Sequence, residues 1–306
     1  MLIKEIIKFL KKTFIRFFFT KGFSFFEKFG IHVLPVHYYT PIPDTRLLCR
    51  QNILWSKELS LEGIKLNIEK TKPFLKTVCL PFQKEYLSFP KEKTNNSLQY
   101  YLNNGSFGFV SGQLHYSVIR YFKPKKIIEV GSGYSTLVSI EALRKNNEEG
   151  TPFEFFAIEP YPAKYLKDVN CVNFIKKKAE EMDVQFFQAL NENDLLFIDS
   201  SHTVKIGGDV NFLILEVLPK LKKGVIIHIH DIHFPYEYFK SYILKQHLFW
   251  QEQYLVQAFL MYNNSFKVLW CASYIHHKYP ELLKKYFSPY PSTRIPTSLY
   301  IQKINH

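Results

Sequence analysis

The most constraining feature of the sequence is the segment Ile127–Thr136, which reads IIEVGSGYST. A short apolar stretch containing Glu129 reads as a buried strand, and Gly131 and Gly133 then turn the chain into a predicted helix. Glycines are needed at such a turn because a side chain there would block a ligand from reaching the backbone. The segment therefore predicts a strand, a glycine turn and a helix that together form one wall of a ligand-binding crevice.

Strands and helices alternate from about residue 125 onward. Apolar strands separated by helices imply parallel βαβ units with both sheet faces covered, and the last two strands are close enough in sequence to pair antiparallel. We therefore predict an α/β fold with a Rossmann-like sheet, mostly parallel with an antiparallel C-terminal strand. The predicted strands are 127–130, 154–158, 194–198, 225–229, 266–270 and 298–303, and the predicted helices are 136–144, 209–221 and 254–262.

A second acid, Glu159, follows the next predicted strand. Ligands of such sheets bind outside the carboxyl ends of the strands, so Glu129 and Glu159 are expected to face one crevice. A carboxylate offers two acceptor oxygens, enough for both hydroxyls of a ribose. Thr136 stands where a dinucleotide fingerprint has its third glycine, which favours S-adenosyl-L-methionine (SAM) over a nicotinamide cofactor. The alternative is that both acids are solvated loop residues. The predicted cofactor-binding residues are Glu129, Gly131, Ser132, Gly133, Tyr134, Ser135 and Glu159.

Two further predicted strands each end in an aspartate, Asp199 and Asp231. If these strands are neighbours, they lie about 4.8 Å apart, and their carboxylates can bracket one cation or polarise one hydroxyl. His202 follows Asp199 by three residues, and a neutral imidazole there can take a proton from a substrate hydroxyl near neutral pH. We predict Asp199, His202 and Asp231 as catalytic residues, and Asp199, His230 and Asp231 as ligands of a divalent metal. A buried structural role is the alternative for His230 and the preferred interpretation for His228.

At these motifs the chain resembles the class I SAM-dependent methyltransferases. More narrowly, it is similar to a bacterial group whose domain carries the strings E-V-G-S-G-x-S, I-E-P-Y-P, F-I-D-S-S-H and H-D-I, and the likeness runs from about Asn104 to Tyr274. The resemblance implies the seven-stranded class I methyltransferase sheet and SAM as cofactor. The matching motif positions also imply roles for individual residues. Glu129, Gly131 and Gly133 would line the methionine end of SAM, and Glu159 would bind its ribose.

The set Asp199, His202 and Asp231 is also similar to that of metal-dependent sugar O-methyltransferases. In those enzymes the aspartates hold magnesium and the histidine is the base, which implies O-methylation of a small molecule or a glycan. The chain departs from that pattern at His230, where those enzymes tend to have an acid, and a nitrogen ligand suits zinc, iron or manganese better than magnesium. Two alternatives remain: an iron hydroxylase on the same fold, with Asp199, His202 and His230 as ligands, or a non-catalytic SAM-binding scaffold associated with membranes.

The first thirty residues hold seven basic and two acidic side chains. Apolar residues recur there at helical spacing, opposite a face of lysines and Arg16, which predicts a basic amphipathic helix. Such helices are typical of proteins that lie on an anionic membrane surface, so residues 1–20 are a candidate for peripheral membrane contact. The alternative is a helix packed on its own domain or on a partner. We predict this helix over residues 1–30, an N-terminal cap over 31–112 and a SAM-binding domain over 113–306.

The formal charge of +13 is compatible with an anionic partner, but no zinc-finger spacing or RNA-binding aromatic signature accompanies it. Nucleic acid is therefore not the predicted substrate. The four cysteines are far apart and form no C-x-x-C pair, which suits a reducing compartment and predicts a cytoplasmic protein.

Overall fold

The computed structural model describes residues 2–66 and 68–305, and the chain divides into two compact units. The first unit comprises Met1–Lys57 and Tyr238–Phe249, and the second comprises Glu58–Glu237 and Trp250–His306. The domain boundaries inferred from sequence, after residues 30 and 112, stay a prediction. Among the described residues, no helix is both long enough and apolar enough to cross a bilayer.

The second unit is built on a seven-stranded sheet with the strand order β3-β2-β1-β4-β5-β7-β6. The first five of these strands are parallel, whereas β7 runs antiparallel to both β5 and β6. This confirms the predicted sheet with its antiparallel C-terminal strand. The strands are β1 Lys126–Val130, β2 Glu154–Ile158, β3 Asn173–Ile175, β4 Leu195–Ile198, β5 Ile226–Ile229, β6 Phe266–Cys271 and β7 Leu299–Lys303.

Thirteen α-helices occur in the described residues. Two of them continue into π-helical turns, Leu75–Cys79 after α4 and Phe212–Val217 after α9. The helices are α1 Leu2–Phe18, α2 Lys21–Glu27, α3 Thr45–Arg50, α4 Ile68–Phe74, α5 Gln83–Leu87, α6 Ser111–Phe122, α7 Tyr134–Glu148, α8 Val184–Gln188, α9 Asp209–Asn211, α10 Lys240–Leu244, α11 Glu252–Leu260, α12 Ala272–Lys278 and α13 Pro280–Tyr286.

The core occupies both faces of the sheet because successive side chains of each strand point to opposite faces. On β4, Leu195 and Phe197 belong to one apolar cluster, and Leu196 and Ile198 belong to the other. All four side chains are buried. A strand that is apolar on both faces is stable only with a layer on each side, which is what the parallel arrangement requires.

The strand ends determine where a ligand can bind. The last residues of β1, β2, β4 and β5 are in register: Val130 pairs with Ile158 and with Ile198, and Ile198 pairs with Ile229. The residues that follow these strands therefore emerge at one edge of the sheet, whatever their separation in sequence. This is the edge at which ligands of open parallel sheets bind.

A buried cation ties three helices of the second unit to one another. Arg120 on α6 is 3% exposed, and its Nε donates to Oε2 of Glu85 on α5 at 2.9 Å. Its terminal nitrogens donate to Asn146 and Glu149 at the end of α7. These hydrogen bonds from Arg120 and Lys123 hold the pKa of Glu149 at about 2, well below its ordinary value. One guanidinium thus joins three helices.

We expect Arg120→Ala to lower the free energy of unfolding by about 3 kcal/mol, because removing one partner leaves buried polar groups uncompensated. The measurement is guanidinium-induced unfolding of the full chain. Arg144→Ala, which removes an exposed arginine from the same helix pair, is the control and should change stability by less than about 0.5 kcal/mol. Equal effects of the two substitutions would contradict the role given to Arg120.

Candidate functional site

The turn between β1 and α7 requires glycine at residue 131 for two reasons. Gly131 has φ +85°, a backbone conformation that other residues rarely adopt. A Cβ atom there would also lie 2.4 Å from the carbonyl oxygen of Asp199. By contrast, the nearest atom to a Cβ at Gly133 is Tyr165 Oη at 3.8 Å, so no protein contact accounts for that glycine. Space for a ligand at Gly133 stays a prediction.

Glu129 is buried beneath this turn. Its carboxylate accepts hydrogen bonds from Ser135 Oγ at 2.6 Å and from Thr136 Oγ1 at 2.7 Å. Burial raises the pKa of Glu129 to about 8; the two hydroxyl groups oppose this shift, and the charges of Asp199 and Glu159 add to it. Glu129 therefore holds the first turn of α7 in place through these two hydrogen bonds. Its neutral, protonated form is favoured at neutral pH.

A cavity of about 290 Å³ opens at the carboxyl ends of β1, β2 and β4. Among the predicted cofactor-binding residues, Gly131 and Glu159 line it, whereas Glu129, Ser132, Gly133, Tyr134 and Ser135 do not. Glu159 accepts a hydrogen bond from the backbone N–H of Tyr161 at 2.8 Å. The lining consists of Val130, Gly131, Ile158, Glu159, Pro160, Lys178, Ala179, Glu180, Asp199, Ser200, Ser201, Lys205 and Asp209.

Part of this wall was not found from the sequence. Lys178, Ala179 and Glu180 come just after β3, a strand of three residues too short to show a period-2 pattern. Asp209 accepts from both the N–H and the hydroxyl of Ser201, at 2.7 and 2.6 Å, and fixes the loop after β4. The residues after β3 become candidates for the site only once the structure shows that β3 lies beside β2.

Asp199, His202 and Asp231 meet beside the cavity. Each offers one ligand atom, and these atoms all lie within 4.8 Å of one another. His202 Nε2 is 3.2 Å from Asp199 Oδ1 and 3.6 Å from Asp231 Oδ2, and Thr297 donates to Asp231 Oδ1 at 2.8 Å. His202 and Asp231 have φ of +56° and +54°. Left-handed conformations at residues other than glycine cost free energy and concentrate at functional sites.

Glu252 completes this cluster and was not predicted. Its Oε2 lies 2.7 Å from His202 Nδ1, its Oε1 accepts from Ser200 Oγ at 2.9 Å, and its side chain has no exposed area. The indole of Trp250 lies against the His202 ring with centroids 4.4 Å apart. In the sequence Glu252 is an acid at the start of a helix, a common position that stabilises the helix dipole and gives no sign of chemistry.

These surroundings change the protonation of the cluster. Burial lowers the pKa of His202, but the hydrogen bonds with Asp199 and Glu252 outweigh it, and the pKa is raised well above its ordinary value. For Asp231, burial raises the pKa, and the charges of His230 and His202 bring it below the ordinary value. The imidazolium form of His202 is therefore favoured at neutral pH. The neutral imidazole that proton transfer needs is then the minor form, and its role as a base stays a prediction.

His230, predicted as a metal ligand, is not a member of the compact group, and His202 takes its place beside the two aspartates. His230 Nε2 lies 3.7 Å from Asp231 Oδ1, and the His230 ring packs on the Phe107 ring with centroids 5.0 Å apart. The reason is strand alternation: His230 points to the same face as His228, whose ring stacks on Tyr300 at 4.4 Å in the core.

The three grouped residues suit a divalent cation, because carboxylate oxygens and an imidazole nitrogen are common ligands of zinc and manganese. Histidines that bind metals usually donate their other ring N–H to a carboxylate, which is the contact that Glu252 makes with His202 Nδ1. The same arrangement also suits a substrate hydroxyl, which can donate to Asp199 or Asp231.

We expect Gly131→Ala to destabilise the protein by about 1–3 kcal/mol, because its Cβ would meet the Asp199 carbonyl and φ is positive. Gly133→Ala is the matched control two residues away and should cost less, since its Cβ meets nothing within 3.8 Å. Thermal unfolding of both variants is the measurement. A larger loss for Gly133→Ala would show that the turn is not packed as described.

The raised pKa of Glu129 predicts a pH-dependent contribution to stability. The folded protein holds this proton up to about pH 8, whereas the unfolded chain releases it near 4.5, so the contribution falls as the pH rises between these values. The difference in unfolding free energy between the native chain and Glu129→Gln should shift in favour of the variant by about 1.4 kcal/mol per pH unit in that window. A constant difference from pH 5 to 8 would contradict the burial of an ionisable Glu129.

The part of the chain that forms the cavity is similar to known methyltransferase domains. Residues 128–232 match a family model described as a methyltransferase domain, Methyltransf_24. An uncharacterized protein of Archaeoglobus fulgidus is 25% identical over 179 residues, which cover 56% of this chain and 80% of that protein. The crystal structure of the SAH-bound methyltransferase PaMTH1 of Podospora anserina is similar with a TM-score of 0.38 and 16% identity, covering 78% of this chain and 95% of that one.

The family match runs from within β1 to just past β5 and includes all the residues that line the cavity. Together with the strand order, it confirms the resemblance inferred from the motifs. Residues 128–232 are therefore similar to a methyltransferase domain, and the sheet around them has the topology that the resemblance implies.

Proposed function

We propose that this protein transfers a methyl group from SAM to a hydroxyl oxygen of a small molecule or a glycan. One observation carries the proposal: Asp199 lines the cavity at the strand ends and also belongs to the cluster with His202 and Asp231. A methyl donor in the cavity and a hydroxyl at the cluster would thus meet at one carboxylate. Methyl transfer requires such a meeting, because donor and acceptor atoms must be aligned at short range.

The cavity has the features that a nucleoside needs. Its volume of about 290 Å³ is near the lower end of the range of small-molecule pockets. Glu159 supplies a carboxylate that can accept from both ribose hydroxyls. SAM, when bound, supplies a methyl group on a positively charged sulfonium.

The cluster has the features that an acceptor hydroxyl needs. When His202 is neutral, its Nδ1–H donates to Glu252, which leaves Nε2 as an acceptor facing Asp199 and Asp231. The two aspartates orient the hydroxyl, and His202 Nε2 receives its proton. Glu252 acts through His202: it fixes the tautomer and the ring orientation.

A divalent cation also fits this cluster, and Asp199, His202 and Asp231 would hold it. Such a cation would lower the pKa of a coordinated hydroxyl. An iron hydroxylase on this fold is less well supported, because the centre of such enzymes has two histidines and one carboxylate, whereas the group here has one histidine and two carboxylates.

We expect Glu159→Ala to weaken SAM binding about tenfold or more, since it removes two hydrogen bonds to a charged acceptor. Isothermal titration calorimetry on the full chain is the measurement. Glu154→Ala is the matched control: it removes an acid from the opposite end of the same strand and should leave the affinity unchanged. Equal affinity of the native chain and Glu159→Ala would remove the ribose role.

We expect His202→Ala to lower turnover about 10²–10⁴-fold while SAM affinity holds, because general-base catalysis contributes a factor of that size. The measurement is release of S-adenosylhomocysteine with a panel of sugar and phenol acceptors. His247→Ala, which removes an exposed histidine, should keep full turnover. A His202→Ala variant as active as the native chain would exclude His202 from the reaction.

A further inference from the structure

Exposed apolar side chains are concentrated at the beginning of the first unit. Of the 24 large hydrophobic residues that are exposed among the described side chains, 15 lie within the first 53 residues. Scattered exposed apolar residues are normal in proteins, but contiguous patches mark interaction surfaces. Six of the 15 lie on α1 and α2, where helical spacing can bring them together into one surface.

On α1 the exposed apolar residues form one stripe. Ile6, Leu10, Phe14 and Phe17 are 50%, 59%, 64% and 47% exposed. Their spacing of four, four and three residues places them on one face of the helix. The stripe is therefore a continuous apolar face that the described residues of this chain leave uncovered.

Basic residues of α1 flank this stripe. Lys11, Lys12 and Arg16 are exposed, and no carboxylate among the described residues lies within ion-pair distance of them. Residues 1–30 contain seven basic and two acidic residues. The apolar stripe is thus flanked by positive charge that has no counter-charge from the described part of the chain.

The pattern continues on α2 and up to Phe29, just beyond its end. Phe18 and Phe26 stack with ring centroids 6.2 Å apart and join the two helices. Phe25 and Phe29 remain 56% and 67% exposed, in edge contact at 5.4 Å. Phenylalanine and leucine on one face, with lysine and arginine beside them, are typical of helices that lie in a bilayer surface.

We propose that α1 and α2 bind the surface of an anionic lipid bilayer, with the apolar stripe entering the headgroup region and the basic side chains that flank it reaching the lipid phosphates. The charge decides between the occupants that an apolar stripe can have. A second copy of this chain would bring two strongly basic helices together, at a cost in repulsion, whereas an anionic surface attracts both the lysines and the stripe. This surface is independent of the proposed methyl transfer.

The experiment is co-sedimentation of the full chain with vesicles of phosphatidylcholine, alone or mixed with phosphatidylserine. We expect binding to the mixed vesicles that weakens with added salt. Phe14→Asp should reduce it about tenfold or more, and Lys11→Gln with Lys12→Gln should reduce it about tenfold or more as well. The controls, Leu215→Asp and Lys91→Gln with Lys93→Gln, remove exposed groups of the same type from the second unit and should bind like the native chain.

Failure of the native chain to bind the mixed vesicles would overturn the proposal. Equal binding by Phe14→Asp and the native chain would do the same. Sedimentation velocity tests whether a second copy of the chain covers the stripe instead. Concentration-dependent dimers that Phe14→Asp abolishes would assign the stripe to a second copy and overturn the lipid assignment.

Discussion

The register of the parallel strands is the constraint on which the rest of the structure depends. β1, β2, β4 and β5 end level with one another, so loops that are up to a hundred residues apart in sequence begin at one edge. Backbone hydrogen bonding fixes this alignment, and a shift of one residue would turn every buried side chain to the opposite face. Gly131 allows the first of these loops to pass against the carbonyl of Asp199 without a clash.

Several acidic side chains lie at this edge of the sheet, and two features of the structure reduce the repulsion between them. Glu129 is buried against two hydroxyls with a pKa raised to about 8, which favours its neutral form at neutral pH. Asp199, Asp231 and Glu252 instead surround His202, whose imidazolium balances part of their charge. A cationic methyl donor or a divalent cation would relieve the same repulsion. Affinity for positive charge is thus built into the site before any ligand arrives.

Much of this could be predicted from the sequence, because strand ends and glycine turns are local signals. The motifs around Gly131, Glu159, Asp199 and Asp231 gave the sheet and its edge. The features that could not be predicted depend on tertiary contacts. β3 is too short to show a strand pattern, so the cavity-lining residues that follow it were not predicted either. Glu252 lies 50 residues from His202, and only burial shows their pairing. His230 shares the strand face of His228 and does not join the group of Asp199, His202 and Asp231.

The central claim is that a sulfonium nucleoside binds along this edge with its reactive end at Asp199. The most direct measurement is a crystal structure of the full chain grown with S-adenosylhomocysteine and manganese. We predict ribose hydroxyls on the carboxylate of Glu159, the sulfur next to Asp199, and any manganese anomalous signal between Asp199 and Asp231. A nucleoside bound elsewhere, with the cavity at the strand ends still closed to it, would contradict the account.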